Sequence, residues 1–391
     1  MPSQSKGQWL ENQWLENELP VPKQLSPGPL SLSPVGRRMR KGASEKIKDT
    51  RGLQPGSMPP ILGATRALKR PKVQVSTCAS MQLGNGTLVS QFLLEGLTDI
   101  EELRPLLFIV FLLIYLVAIV GNVGMASLII ADSRLHTPMY FFLGNLSLLD
   151  TAYISNTVPQ MLVHLLAPMR TMSYHACLTQ IFFLHFLAPW ECFLLTAMAY
   201  DRYAAICQPL HYLVLMGQRT RAVLASISCL LALANALTHT ILASQLKFCG
   251  PRIITHFFCD LPPLLKLSST STQANEFALF FFSFLVALIP CVLVMISYIH
   301  VVAAVLRIRS TEGRRKVFST CGAHLTMVCI FYLTSVLCYI LPSSAYSSLR
   351  DRLFSVLYTV LTPMLNPVVY SMRNNEVKRA LFKAFGKERA C

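Results

Sequence analysis

Met198-Ala-Tyr-Asp-Arg-Tyr-Ala-Ala-Ile-Cys-Gln-Pro-Leu-His-Tyr212 closes the third of seven long apolar segments in this chain. Its Asp201 and Arg202 stand where the apolar segment meets a polar loop. Charged side chains inside a bilayer cost several kcal/mol, so they are rare there and usually functional. At the end of a membrane span, both charges can reach the interface. The stretch therefore predicts a switch element at the mouth of a helical bundle.

The composition indicates a chain whose surface faces lipid. Of its 391 residues, 53% are hydrophobic and 14% are charged, whereas soluble domains carry about 25% charged residues. The net charge is +16, and a basic chain can attract nucleic acid. No nucleic-acid motif accompanies the apolar segments, however. We therefore expect the lipid bilayer, and no nucleic acid, as a partner.

The apolar segments each approach the roughly 20 residues that span a bilayer. Spanning segments must be helical, because lipid offers backbone groups no hydrogen-bond partners. We therefore predict an all-α membrane protein, a seven-transmembrane helix bundle. Its spans are placed at 104–131, 139–164, 177–207, 219–242, 275–307, 314–341 and 350–371. The stretch Asn375–Gly386 has an apolar and a basic face, which predicts a short amphipathic helix on the membrane surface.

The chain divides into four parts by composition. Residues 1–80 cannot bury a core and are predicted to be a disordered, basic N-terminal extension, which an upstream start without a role of its own would explain. Residues 81–103 form an extracellular segment, 104–373 the seven-helix domain and 374–391 a cytoplasmic tail. This orientation follows from the richer set of Lys and Arg in one group of loops. Asn85 then lies outside, as an N-glycosylation acceptor.

Six motifs follow one another in the order that one receptor family shows. They are Gly121-Asn122, Leu135–Asp150, Met198–Tyr212, Ser297-Tyr298, Lys316–Thr326 and Pro363–Tyr370. This ordered set closely resembles the olfactory-receptor branch of the rhodopsin-like G-protein-coupled receptors, over about residues 81–388. The resemblance implies an odorant receptor of the plasma membrane. It also implies a small volatile ligand and a stimulatory, olfactory-type G protein that raises cAMP.

The resemblance gives four residues a role in signalling. It implies that Asp201 holds Arg202 at rest, and that Arg202 is released when the third and sixth helices separate. Tyr298 and Tyr370 then help to hold the open form. The alternative is an interfacial arginine that only extends its charge into water.

Asp150 and Glu191 lie well inside apolar spans, where neither can be ionised without a partner. Asn122 and Asn366 are polar neighbours from the first and seventh spans. The resemblance implies a sodium site around Asp150, with Glu191 as a candidate second ligand. A protonated, hydrogen-bonded pair of carboxyl groups is an equal alternative. We expect no other metal and no cofactor.

The resemblance further implies a disulfide between Cys177 and Cys259, which an oxidising compartment would preserve. Olfactory receptors usually carry another loop pair, of which Cys249 matches one member. Ser269 fills the place of the other, so the usual cross-link of this loop is in doubt.

The ligand pocket is expected between the third, fifth, sixth and seventh spans. Its candidate residues, placed by the motifs, are His185, Ala188, Pro189, Cys192, Phe282, Val286, Tyr332, Ser335, Tyr339 and Thr359. The set is mostly apolar and holds no fixed charge, which favours small, weakly polar molecules over amines. Helix packing is the alternative for any one of these residues, and Pro189 could kink its helix.

Catalysis is not expected. The histidines are scattered without metal-ligand spacing, and no nucleophile elbow or phosphate loop is present. Two other functions would fit seven helices. A receptor for a non-odorant metabolite would share every motif, whereas a transporter would need internal repeats, of which we see none between the two halves.

Overall fold

The computed structural model describes residues 90–98, 100–249, 252–307, 310–339, 348–384 and 386. The extension 1–80, the acceptor Asn85 and the tail beyond 386 lie outside the described residues. Three strands are present there: β1 Gln91–Leu94, β2 Thr171–Ser173 and β3 Ile253–Ile254. The helices are α1 Arg104–Ala131, α2 Pro138–Leu166, α3 Tyr174–Cys207, α4 Tyr212–Leu215, α5 Gln218–Ser244, α6 Leu261–Leu265, α7 Gln273–Ser283, α8 Ile289–Leu306, α9 Thr311–Tyr339, α10 Ser348–Val356, α11 Thr362–Arg373 and α12 Asn375–Ala384.

The described residues form seven long helical segments, and each overlaps one of the predicted spans. Turns of π-helix join α7 to α8 and α10 to α11. Five segments are long and apolar enough to cross a membrane: α1, α3, α5, α7–α8 and the segment Arg352–Met372. Of the other two, α9 contains the shorter apolar stretch Cys321–Thr334. That all seven cross the membrane stays a prediction.

Proline positions explain both π-turns. The turns Phe284–Leu288 and Leu357–Leu361 directly precede helices that have proline in their first turn, Pro290 and Pro363. Proline lacks the N–H that would bond the carbonyl four residues earlier, and its ring clashes with that carbonyl. The backbone hydrogen bonds of the helix therefore change from the α pattern to the wider π pattern ahead of each proline. By contrast, α3 continues without a break through Pro189.

The bundle places polar groups inside and apolar groups outside. Asn122, Asp150 and Asp201 are completely buried, whereas Ile130 and Phe280 expose 75% and 76% of their surface. Water would disfavour an apolar surface of this extent, but lipid would not. The burial pattern thus agrees with the apolar helices in indicating a protein embedded in a membrane.

A small sheet covers the end of the bundle that carries Cys177, which we call the disulfide end. Its strand order is β2-β1-β3, with β1 antiparallel to β2 and parallel to β3. Phe92 and Leu94 of β1 point into a compact core that includes Cys177 and Cys259. The sequence predicted only an extracellular segment here. β1 instead forms the central strand of a cap.

Two arginines fasten the chain that follows β1. Arg170 donates to the carbonyl oxygens of Glu95 and Thr98. Arg352 of α10 donates to the Gly96 carbonyl at 2.9 Å and lies 3.4 Å from the Glu95 carboxylate. Gly96 has a φ of +82°, which favours glycine, and it leaves no room for a side chain against Arg170. The cap is therefore tied both to the loop before β2 and to the last long segment.

Candidate functional site

At the opposite end of the bundle, which we call the Arg202 end, Arg202 forms an ion pair with Asp201. Asp201 is fully buried, and its second oxygen accepts a 2.8 Å hydrogen bond from the Tyr212 hydroxyl. Burial, followed by the Asp201 charge, raises the pKa of the Tyr212 phenol well above its usual value, so the phenol remains a donor. Tyr212 was not predicted as a site residue, although it ends the deciding stretch of sequence.

Tyr298 is held by a histidine that the sequence analysis overlooked. Its hydroxyl lies 2.6 Å from Nδ1 of His324, whose Nε2 lies 3.1 Å from the Leu195 carbonyl oxygen. A carbonyl oxygen only accepts, so Nε2 carries the proton and Nδ1 accepts from Tyr298. His324 thereby links α9 to α3 and α8. The sequence could have indicated His324 as a site residue, because it lies within the motif Lys316–Thr326.

Tyr370 is fully buried, and its hydroxyl has no hydrogen-bond partner among the described residues. The hydroxyl of Tyr298 points to His324 and the Cys321 carbonyl. The structure therefore shows Arg202 paired with Asp201, with the Tyr298 hydroxyl directed to α9. The resemblance implies an Arg202–Asp201 pair in the resting state, and the role of this pair as a switch stays a prediction.

The four interior polar residues form a group rich in unpaired oxygens. Asn366 donates to Oδ2 of Asp150 at 2.8 Å, and Asn122 donates to the carbonyls of Ala118 and Pro363. One side-chain oxygen of each residue in the group is buried without a hydrogen-bond partner in the described chain: Asn122 Oδ1, Asp150 Oδ1, Glu191 Oε1 and Asn366 Oδ1. Such oxygens need protons or a hard cation.

Cys192 contacts two other predicted pocket residues, Val286 and Tyr332. Its thiol lies 2.8 Å from the Val286 carbonyl oxygen and 3.0 Å from the Tyr332 hydroxyl. The carbonyl of Val286 is the one that Pro290 leaves without its helical partner. Thr359 is buried and bonds the Ser355 carbonyl of its own segment.

The other pocket candidates occupy their expected helices. Ala188 and Pro189 are buried on α3, whereas His185 of α3 and Phe282 of α7 are half-buried. The side chains of Ser335 and Tyr339 lie outside the part of the chain that the structure describes. His239 of α5, which was not predicted as a pocket residue, contacts the rings of both His185 and Phe282.

Cys177 and Cys259 form a disulfide, which attaches the start of α3 to the loop between α5 and α7. Where the further disulfide would be expected, hydrogen bonds join the two parts of the loop instead. Ser269 donates its N–H and its hydroxyl to the Lys247 carbonyl at 2.9 and 2.7 Å. Phe248 and Ser268 form an adjoining β-bridge. Cys249 is exposed beside this pairing.

The fold is similar to that of a rhodopsin. A crystal structure of squid rhodopsin superposes with a TM-score of 0.56 over 74% of this chain and 87% of its own, at 15% sequence identity. Residues 111–388 match the family described as Olfactory receptor.

Curated relatives agree with the family match. Olfactory receptor 3A10 of Mus musculus is 52% identical over 76% of this chain and 95% of its own length. Olfactory receptor 3A1 of Homo sapiens is 51% identical over the same shares. This chain belongs to the olfactory receptor family. It is a multi-pass membrane receptor and not an enzyme, as the sequence predicted.

Proposed function

We propose that this receptor binds small, volatile, weakly polar odorants inside its helix bundle, on the side of the disulfide end. The bound receptor activates a stimulatory, olfactory-type G protein, which raises cAMP. The observation that carries the proposal is the closed Asp201–Arg202 pair, which faces a Tyr298 hydroxyl held by His324. Such an arrangement is a two-state element that a ligand can bias.

The chemistry of the pocket supports a weakly polar ligand. His185, Cys192, Tyr332 and Thr359 supply hydrogen-bonding groups, and the other candidates are mainly apolar. None of the ten candidate residues is a carboxylate, so a charged amine would lose its hydration without gaining a counter-ion. A compact neutral molecule with one or two polar atoms fits this lining best.

Contacts along α9 connect the pocket to the Arg202 end. Tyr332 contacts Cys192 of α3, and His324 contacts the Leu195 carbonyl of the same helix. These two residues of α9 are eight positions apart, or about 12 Å along a helix axis. A ligand that displaces the contact between Tyr332 and Cys192 therefore also shifts the contact between His324 and Leu195. It can do so only if it binds the two states with different affinity.

At the Arg202 end, separation of α3 from α9 would free Tyr298 from His324. Tyr298 and Tyr370 would then support the released Arg202. An arginine that only extended into water would keep its guanidinium exposed, but this side chain is 13% exposed and ion-paired. The surface that receives the G protein would include Arg202, residues 207–219 and residues 307–316.

We further propose that all seven helical segments cross the plasma membrane, with the N-terminus outside. α12 would then lie on the inner surface. Val377 and Ala380 are buried on one face of α12, whereas Lys378 is exposed on the other. The Tyr140 hydroxyl donates to Glu376 at 2.9 Å, which attaches α12 to α2.

The interior oxygens fit a sodium ion, with Asp150 and Glu191 as its charged ligands and Asn122 and Asn366 beside them. A bound sodium ion would offset one of the two carboxylate charges and favour the closed bundle. Replacing sodium by a large organic cation should then lower the EC50 of an agonist for the wild type, but not for Asp150→Asn. If the EC50 of the wild type does not depend on sodium, a protonated pair of carboxyl groups at Asp150 and Glu191 is favoured instead.

The test is a cAMP reporter screen of volatile compounds on cells that express the full chain. Arg202→Ala should abolish the response at equal surface expression. Lys383→Ala removes the same charge from an exposed position of α12 and serves as the control. An unchanged response of Arg202→Ala, or the absence of any volatile agonist for a receptor present at the surface, would contradict the proposal.

A further inference from the structure

We propose that His185 and His239 form a polar subsite, the imidazole pair, which binds the hydroxyl group of an odorant alcohol. The inference rests on the proposed function, because it names the chemistry of the molecule bound in that pocket. His185 was a predicted pocket residue, whereas His239 comes from α5, which contributed none. The pair therefore extends the pocket to a further helix.

The two rings face each other across α3 and α5. Their centroids are 4.7 Å apart, and their planes meet at 53°. Asn235, one turn before His239, donates to the main-chain oxygen of His185 at 2.6 Å. This hydrogen bond fixes the two helices at the level of the rings. Phe282 of α7 approaches His239 edge-on at 5.4 Å and closes the third side.

The hydrogen bond of His185 fixes which ring nitrogen carries its proton. Nδ1 lies 3.0 Å from the Ile181 carbonyl oxygen. That oxygen only accepts, so Nδ1 carries hydrogen and donates. A charged imidazole in an apolar interior is unfavourable, so the ring is neutral. Its Nε2 is consequently an acceptor that can bind a donor.

His239 carries an unsatisfied polar atom. The residue is 1% exposed, and its Nδ1 is buried without a hydrogen-bond partner in the described part of the chain. Burying such an atom unpaired costs free energy that a hydrogen bond from a bound molecule would recover. Its ring neighbours, His185 and Phe282, are residues of the predicted pocket. The unsatisfied nitrogen is therefore placed to meet a ligand.

The two nitrogens together select a hydroxyl group. Nε2 of His185 needs a donor, which excludes aldehydes, ketones and ethers because their oxygens only accept. Nδ1 of His239 needs a donor or an acceptor, according to its own tautomer. A hydroxyl group donates its one hydrogen to Nε2 of His185, and its oxygen accepts from Nδ1 of His239 when that nitrogen carries the proton. The bound form therefore has His239 in this tautomer. The ligand class is therefore a neutral alcohol with an apolar body.

The first test measures binding without signalling. The purified full-length receptor in lipid nanodiscs is titrated with primary alcohols of six to ten carbons. The aldehyde and the methyl ether of equal length are the matched probes, and the thermal midpoint is the readout. We expect at least one alcohol to bind about tenfold more tightly than its ether. If no alcohol is preferred over its ether, the proposal is wrong.

The second test uses variants of the pair. His185→Phe keeps a ring but removes the acceptor Nε2, so the preference for alcohol over ether should fall to about onefold while ether binding is kept. His239→Phe removes the donor to the ligand oxygen, so it should weaken the binding of alcohol and ether alike. His239→Asn carries an amide donor and should restore part of that binding. Thr238→Val is the control, because the Thr238 hydroxyl is exposed and bonds Ala234 of its own helix. An undiminished preference in His185→Phe, or unchanged binding of both probes in His239→Phe, would overturn the pair.

The cAMP reporter separates this inference from the function on which it rests. If alcohols bind with the expected preference but raise no cAMP, the imidazole pair stands and the proposed signalling fails. If aldehydes or ethers activate the receptor as well as alcohols do, the signalling stands and the pair is overturned. If the comparison in nanodiscs shows no binding of any probe, the pair is likewise refuted.

Discussion

Gly96→Ala should detach the cap from the bundle. The added Cβ would clash with the Arg170 guanidinium, lying 2.8 Å from its Cζ, at a backbone φ of +82°. The left-handed conformation costs a residue with a Cβ about 1–2 kcal/mol. Displacing Arg170 would also break its hydrogen bonds to the carbonyls of Glu95 and Thr98. Hydrogen bonds of charged groups contribute about 1.5–3 kcal/mol each.

The sum is a local destabilisation of about 4–8 kcal/mol, an upper range because Arg170 can be partly solvated after it moves. Amide hydrogen exchange measures it at Leu93 and Leu94, whose N–H groups bond Arg252 and Arg170 carbonyls. Both amides should exchange at least 100-fold faster. Gly124→Ala is the control, since an added Cβ there meets nothing within 4 Å. Wild-type protection of β1 in Gly96→Ala would refute this reasoning.

Two further predictions concern pH and helix packing. Burial, and then Arg352, lower the pKa of His256 to about 3, below its unfolded value of about 6.5. The contribution of neutral His256 to the free energy of unfolding is therefore complete above pH 6.5. It is lost as pH falls toward 3, by about 2 kcal/mol at pH 5. The thermal midpoint of unfolding should therefore drop in acid, and it should drop less in His256→Gln. The thermal midpoint of Gly121→Val should lie well below that of Gly124→Val, because a Cβ at Gly121 lies 2.9 Å from Pro367. Equal midpoints of the two variants would contradict this packing.

Hydropathy was enough to place the helices. α1 begins and ends where the first span was predicted, and the other segments differ from their predicted spans by a few residues. The reason is that a bilayer demands a continuous apolar run, which is visible without knowledge of the neighbours. Motif order likewise identified the family, because the stretches around Asp150, Arg202 and Lys316 are long and specific.

Features that depend on distant partners were not visible in the sequence. β1 is a four-residue strand whose partners lie about 80 and 160 residues further along the chain. His239 and Tyr212 are ordinary residues until the fold brings His185 and Asp201 beside them. His324 stood inside a recognised motif, yet its two hydrogen bonds reach α3 and α8. Periodicity and spacing carry no information on such contacts.

Because β1 is the central strand of the sheet, the sheet cannot form until β3 has been synthesised. β1 is translated before every helix that the structure describes, but its parallel partner β3 follows about 160 residues later. At a ribosomal rate of about 5–20 residues per second, the strand waits roughly 10–30 seconds for that partner. During this interval Phe92 and Leu94 have no core to enter. An epitope tag inserted between Gln91 and Thr98 would therefore interfere with maturation at the step in which β1 pairs with β3.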